Sequence, residues 1–526
     1  MKKLLAKELR EYWNIFRLSK QHIYLPESSL IGGKESTAMF TIAGMQQLIP
    51  YLSWKEHPLG KRLFNIQKCI RTVDIDEVGD ASHCTFFEMM GNWSLGSYFK
   101  KEAVQRSREF LVDVLEFDPK KLAVTVFEGD EAAPRDNETA WYRKEIGMTD
   151  DKITYMPADN NRRSPGPVGP CGPDTEIFYR VGKTEFPSKD SNPQSDEDNW
   201  LEIRNNVFME FYRDDTWTLT KLKNQNVDTW MGFERMLKVL QQKETVFDTD
   251  AFFPLITLIE TTLGIAYKGN ERRCRIIADH IRTSFFLIHN GIIPSNEGRG
   301  YVLRRLIRRM YYNFMLLKSV PEEVFDTFVW HIVKIVDDTF WEHADTKMIV
   351  TTLLKEAHQF QKTIAHGQKL LDELINAAKK KTILGKDIFK LYDTFGFPLE
   401  LTKEILEEKW CTLDIKWFEQ EMEAQQQRSR AWSKDMFKQG IDWANYVQGI
   451  PQTLFVWYEV LEKDGIKLLK DFEVQGQRVL IFDKTPFYAE SWGQIWDRWT
   501  LILDDWTKIE VIQVQKYNGI FLHFVR

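Results

Sequence analysis

The chain has 526 residues, 43% of them hydrophobic and 28% charged, with a formal net charge of −6. That composition excludes a fibre and a disordered chain, and the length predicts three or four domains. No run of about 18 apolar residues exists, which excludes a membrane-spanning helix. The start, MKKLLAKELREYW, lacks the apolar stretch of a secretory signal. Five cysteines, at 69, 84, 171, 274 and 411, form no C-x-x-C pair. Together these features predict a reduced, cytoplasmic protein without a zinc ribbon or disulfide framework.

The first ~240 residues mix short apolar runs with turn signals, the pattern of an α+β domain with a mainly antiparallel sheet. KLAVTVFEGD (121–130) alternates and is β-branched, which predicts a strand; NVFMEFYR (206–213) predicts another, with Val207, Met209 and Phe211 on one face. GPVGPCGPDTEIFYRV (166–181) reads as a Gly/Pro turn cluster feeding a further strand. The polar segment 183–199 reads as a surface loop. From ~245 to ~440 the period turns helical, most clearly over 351–381, and after ~445 short alternating runs predict a small β-domain. The expected domains are therefore 1–244, 245–440 and 441–526.

Residues 272–309 hold nine arginines, no lysine and two acids, a local charge of +7. In GRGYVLRRLIRRM, Arg304/Arg308 and Arg305/Arg309 are i,i+4 pairs of like charge, which destabilise a helix. Something must compensate: a nucleic-acid phosphate backbone, or acids elsewhere in this negative chain. Asp228 precedes Gly232, Glu234 and Arg235. It suits an ammonium ligand beside a phosphate-binding Arg, or simply a helix cap. Arg71 in QKCIRT, followed by TFFEM (85–89), suits strand–loop–strand phosphate contact with base stacking. No H-x-x-x-H and no P-loop occur, so no metal site is expected.

Taken together, TIAGMQQLIPYL, QKCIR, HCTFFEMMGNWSLGSYFKKEAV, GPCGPDTEIFY, NNVFMEF, VDTWMGFER, YDTFGFPLELT and TPFYAES stand in an order that resembles the alanyl-tRNA synthetase family. ADHIRTSFFLIHNGIIPSNEGRGYVLRRLIRR belongs to the same series, and the likeness runs from about residue 5 to the end. It implies a class II synthetase fold: an antiparallel sheet flanked by helices, a helical tRNA-recognition domain and the start of a β-barrel. It implies alanine activation by ATP with Mg2+, then transfer to tRNA-Ala. By resemblance, Arg71 contacts the α-phosphate. Phe86 or Phe87 stacks the adenine, Arg235 covers its other face, and Met45 and Gly232 line the ATP site. Asp228 holds the alanine ammonium, with Asn205 and Val207 beside it. Asn296 and Asp393 match the pair that reads the acceptor stem; on spacing alone they are a turn residue and a helix cap. Arg299, Arg304, Arg305 and Arg308 would hold its phosphates. The chain ends ahead of the family's zinc-dependent editing domain. The resemblance therefore implies no zinc, uncorrected serine mischarging and a monomer. A catalytically inactive tRNA-binding paralogue, or a fragment of a truncated or split gene, is the competing expectation.

Two departures stand out. Arg162 and Arg163 replace aromatics that wall the family's amino-acid pocket. In addition, 18 Trp accompany only 28 Gly, where average usage predicts roughly 37 Gly. Trp54, Trp217, Trp230, Trp410, Trp417, Trp457, Trp492, Trp496, Trp499 and Trp506 fall where the family tends to have glycine. The expectation is that the source reads UGA as glycine, that a standard-code translation wrote Trp, and that Trp230 lies in or beside the ATP pocket.

Overall fold

A computed structural model describes the chain apart from residues 32–37, 74, 165–167, 183–190, 197–198, 217, 297, 341, 378–381, 389–390, 392–398, 410, 415–416, 419–445, 448, 456–464, 475–476, 486–498, 503–507, 518–519 and 526. It forms two compact units, Met1–Phe360 and Gln361–Arg526.

The first unit is built on a nine-stranded sheet. In chain order its strands are β1 (Ile23–Tyr24), β2 (Arg62–Ile70), β3 (Phe86–Leu95), β4 (Leu122–Phe127), β5 (Ile153–Met156), β6 (Arg162–Arg163), β7 (Gly169–Arg180), β8 (Trp200–Arg213) and β9 (Leu219–Gly232). The spatial order is β1-β2-β3-β9-β8-β7-β4-β5, with β6 pairing on β7. The centre is antiparallel, as the alternating runs predict, and a parallel pair closes each edge, β1/β2 and β4/β5.

The strand expected at 121–130 is β4, and the one expected at 206–213 is the second half of β8. The Gly/Pro cluster differs from expectation, because β7 runs straight through GPCGP instead of starting after it. A register shift between Cys171 and Asp174 absorbs the prolines. A Cβ on Gly172 would lie 1.8 Å from the Phe208 carbonyl oxygen, so glycine here serves close strand approach and not a turn.

Side chains alternate across the sheet. One face packs on helices α1 (Ala6–Ser19), α3 (Lys100–Arg108), α6 (Phe233–Leu240) and α8 (Glu271–His289). Phe86 stacks on Phe286 of α8 at 4.1 Å between ring centres, and Arg282 of α8 pairs with Glu234 of α6 at 3.2 Å. Glu234 also accepts from the Glu88 backbone N–H at 3.1 Å, which fixes α6 to β3. The other face is covered at one end by a short helical segment over 44–53. There Met45, Leu48 and Leu52 pack on Leu63, Trp93, Leu95, Val207 and Met209.

The arginine-rich segment forms α9 (Gly298–Leu317), followed by α10 (Glu322–Phe340) and α11 (Thr346–Ala377). In the structure Arg304 and Arg308 have an acidic partner within the chain. Both reach one oxygen of the buried Glu356 on α11, Oε1, at 3.3 and 2.8 Å. The compensating charge is in the chain itself, 48 residues from Arg308. Glu356→Ala leaves two like charges buried without it, and such a loss costs about 3–5 kcal/mol. Urea denaturation of the variant is expected to show a drop of that size; an unchanged midpoint would show the cluster to be neutral.

The second unit contains α12 (Leu399–Glu408) and a five-stranded antiparallel sheet in which Leu468–Val474, Gln477–Phe482, Ile520–Val525, Lys508–Tyr517 and Trp499–Ile502 lie side by side in that order. Among the described residues the sheet is open, so the barrel expected at the C-terminal end is not closed there.

Candidate active site

The uncovered part of the sheet's front face carries the polar residues. Strand register sets them in two adjacent rows. Gly91, Trp230, Asn205 and Glu176 stand across β3, β9, β8 and β7, and Trp93, Asp228, Val207 and Asp174 stand in the row two residues along. Asp228 therefore lies mid-strand, not at a helix cap. The cap of α6 is Gly232.

Trp93 orients Asp228. Its indole Nε1 donates to Asp228 Oδ1 at 2.7 Å. The ring has room because glycines lie beneath and beside it. A Cβ on Gly91 would come within 2.5 Å of the indole, and one on Gly44 within 3.0 Å. Asp228 is 4% exposed, and burial pushes its carboxyl up to about 7 although the indole hydrogen bond opposes the shift.

One strand away, Asn205 donates from Nδ2 to Asp174 Oδ2 at 2.6 Å and to Glu176 Oε1 at 3.2 Å. Arg163, on β6, caps this pair of carboxylates at 2.7 Å from Glu176 and 3.8 Å from Asp174. Burial holds Asp174 well above the usual carboxylate range and raises Glu176 to about 7. Arg162 turns away to Asp130. Asp174 and Glu176 were missed from the sequence. Their signal was two acids at i,i+2 inside an apolar strand, which places both on one face.

At the other end of the rows stands Arg71, just past β2. Its guanidinium carbon lies 5.0 Å from the Phe87 ring centre and 6.0 Å from that of Trp230. Trp230 is half-buried. It lies beside Arg71. Phe87 shares this face, whereas Phe86 points to the opposite one and is fully buried against α8. Arg235, in the first turn of α6, pairs with Glu202 at 3.2 Å. Gly232 sits where a Cβ would make ordinary contact with Arg235 at 3.6 Å. Met45 belongs to the apolar floor under Trp93.

A planar cation between rings, a buried carboxylate and an amide-lined acidic pair can bind a phosphate at one end and an ammonium at the other. A family model described as "tRNA synthetases class II (A)" matches residues 8–526.

The chain belongs to this family.

Three curated relatives, all named alanine–tRNA ligase, support the membership. That of Borrelia hermsii is 43% identical over 82% of this chain and 74% of its own length. That of Treponema denticola is 42% identical over 84% and 75%. That of Thermotoga petrophila is 39% identical over 100% of this chain and 62% of its own. The chain thus spans between three-fifths and three-quarters of these synthetases.

The residues expected to meet tRNA are only partly gathered in this class II synthetase chain. Asn296 is half-buried just ahead of α9, and Arg299 donates to the Met39 backbone oxygen. Arg305 pairs with Asp76 in the β2–β3 loop. Asp393 lies outside the described residues, as do Trp217, Trp410, Trp457, Trp492, Trp496 and Trp506. Trp54 is exposed, Trp417 is half-buried and Trp499 opens the strand Trp499–Ile502. Away from the front face, His358 Nε2 sits 2.8 Å from Asp326 and 3.5 Å from Glu322, an ion-pair arrangement on α10 and α11. Among the described residues no helix is long and apolar enough to cross a membrane.

Proposed function

We propose that this chain is an alanine–tRNA ligase that activates alanine with Mg-ATP and transfers the alanyl group to tRNA-Ala. The observation that carries the reading is the front-face row Trp93–Asp228–Val207, with Asn205 one strand from Asp228 and Arg71 just past the strand next to Trp93, in a chain whose relatives bear that name. In the first step an alanine carboxylate oxygen attacks the α-phosphorus. A new P–O bond forms, the bond to pyrophosphate breaks, and alanyl-adenylate results. The step needs placement and charge stabilisation, not a protein base. Arg71 neutralises the carboxylate and α-phosphate as they meet, Phe87 and Arg235 enclose the adenine, and Asp228 anchors the ammonium. Val207 lines the alanine site and Met45 the ATP site. In the second step the terminal ribose of tRNA-Ala takes the alanyl group and AMP leaves. Asn296, Asp393 and the arginines of α9 are the proposed acceptor-stem contacts.

Alanine-dependent ATP–pyrophosphate exchange tests the first step directly. The expected result is exchange that saturates with alanine, is weaker with serine and is absent with amino acids larger than serine. One observation favours a second reading, an inactive tRNA-binding paralogue: Trp230 stands against Arg71, where ATP must lie. Tight tRNA-Ala binding with no exchange at any alanine concentration would establish that reading instead.

A further inference from the structure

Arg71 sits at the start of the β2–β3 loop, and Phe87 just past its end. Three side chains of α8 and α9 join the two ends of that loop. The Thr85 backbone N–H donates to Asp279 Oδ1 at 2.9 Å. Asp279 Oδ2 lies 2.9 Å from His280 Nδ1, and His280 Nε2 lies 3.1 Å from Arg309 NH1. Arg309 NH1 also donates to the Ile75 backbone oxygen at 2.6 Å. A guanidinium has only donors, so His280 accepts at Nε2 and carries its proton on Nδ1, aimed at Asp279. All three side chains are buried. Further ties hold the middle of the loop. Arg275 NH1 donates to the Gly79 and Asp80 oxygens at 3.2 and 3.0 Å, and Arg305 pairs with Asp76. Gly79 has φ +122°, and a Cβ there would lie 2.8 Å from Arg272 Cγ. The arginines of α9 thus face two ways: Arg304 and Arg308 toward Glu356, Arg305 and Arg309 toward the loop.

We propose that Arg309, acting through His280 and Asp279 and assisted by Arg275 and Arg305, is a positioning residue for ATP: it fixes the loop that presents Arg71 and Phe87. This rests on the assignment of Arg71 to the ATP phosphates. It gives the arginine-rich helices a role in adenylate formation as well as in any tRNA contact.

The test compares Arg309→Gln, Arg309→Lys and Asp76→Ala with the parent chain. Asp76 is 68% exposed at its side chain, so its removal cuts the Arg305 tie without entering the core. Two measurements are made on each folded variant: the KM values for ATP and for alanine in pyrophosphate exchange, and amide hydrogen exchange over residues 72–85. For Arg309→Gln the ATP KM is expected to rise about tenfold, the worth of one charge-assisted hydrogen bond. The alanine KM should rise less than the ATP KM, because Asp228 still holds the ammonium and only the Arg71 contact to the carboxylate is loosened. The loop amides should exchange faster, Arg309→Lys should recover part of the loss, and Asp76→Ala should give a smaller shift in the same direction. Equal rises in both KM values would mark a merely structural residue, and unchanged loop exchange would remove the clamp; either overturns the proposal. If the parent shows no pyrophosphate exchange, the adenylation reading has failed, and loop exchange with and without ATP still decides this one.

Discussion

Trp230→Gly is expected to raise alanine-dependent ATP–pyrophosphate exchange by about 100-fold, the scale set by misplacing reacting groups by about an ångström. The indole stands in the row between Gly91 and Asn205, half-buried, with its ring 6.0 Å from the Arg71 guanidinium carbon. That guanidinium is the one proposed to meet the ATP phosphates, so the indole stands beside their proposed place. Glycine at 230 leaves the strand register intact and opens the space, so the ATP KM should carry most of the change. Equal rates in the two proteins would show that the indole does not obstruct ATP. The same residue tests the origin of the tryptophan excess. UGG codons at Trp230 and the nine companion positions, or mass spectrometry of the native protein showing Trp there, would end the UGA-as-glycine explanation. Trp93 is different in kind, because Gly44 and Gly91 make room for its ring and Asp228 accepts its N–H.

The second large effect belongs to Asp228. Asp228→Asn is expected to lower kcat/KM for alanine by about 100-fold, the worth of a buried hydrogen bond to a charged group. It should also stabilise the fold at pH 8. The sign follows from linkage. Burial raises the native carboxyl to about 7, above its unfolded value, so between pH 4 and 7 the native state binds more protons than the unfolded one. Stability due to this group therefore falls as pH rises through that window. Asparagine removes the penalty, which amounts to about 4 kcal/mol at 1.36 kcal/mol per unit. Denaturation of the two proteins at pH 8 and pH 5 checks it: the gain should be full at pH 8 and less than half as large at pH 5. Catalysis runs the other way, because the ammonium needs the ionised carboxylate. The alanine KM should fall as pH rises from 6 to 8 in the parent. Whatever pH dependence survives in Asp228→Asn belongs to Glu176 and Glu234, which burial also raises to about 7. A variant no more stable than the parent at pH 8 would count against the raised carboxyl.

The strands were legible wherever β-branched residues alternate, as in β4 and the end of β8. β7 was misread at its start because Gly and Pro usually punctuate. Here Gly172 answers to a carbonyl on the neighbouring strand, which no local pattern records. The choice between Phe86 and Phe87 could not be made from sequence. Alternation allows only one to face the site, and which one depends on the sheet's orientation to α8. Asp174 and Glu176 could have been found from their i,i+2 spacing. Glu356 could not, since nothing in a sequence ties it to two arginines 48 and 52 residues away. The front-face group of Asp228, Val207 and Asn205 was reached through family resemblance, and spacing alone favoured a helix cap for Asp228.

The place of β9 in the sheet sets an order of assembly. It is the last strand in the chain to join, yet it lies in the middle, between β3 and β8. β2 and β3 can pair as a local hairpin, and β7, β8 and β9 as a meander of neighbours. The seam between β3 and β9 joins residues 135 apart, Trp93 and Asp228 among them. Closing so long a loop is slow, and until it closes two sheet edges stand open. A ribosome-bound chain therefore has no amino-acid site until its first ~230 residues have emerged. The bond between Trp93 and Asp228 is then made in the same event that seals the sheet, so a half-folded chain has no half-formed site.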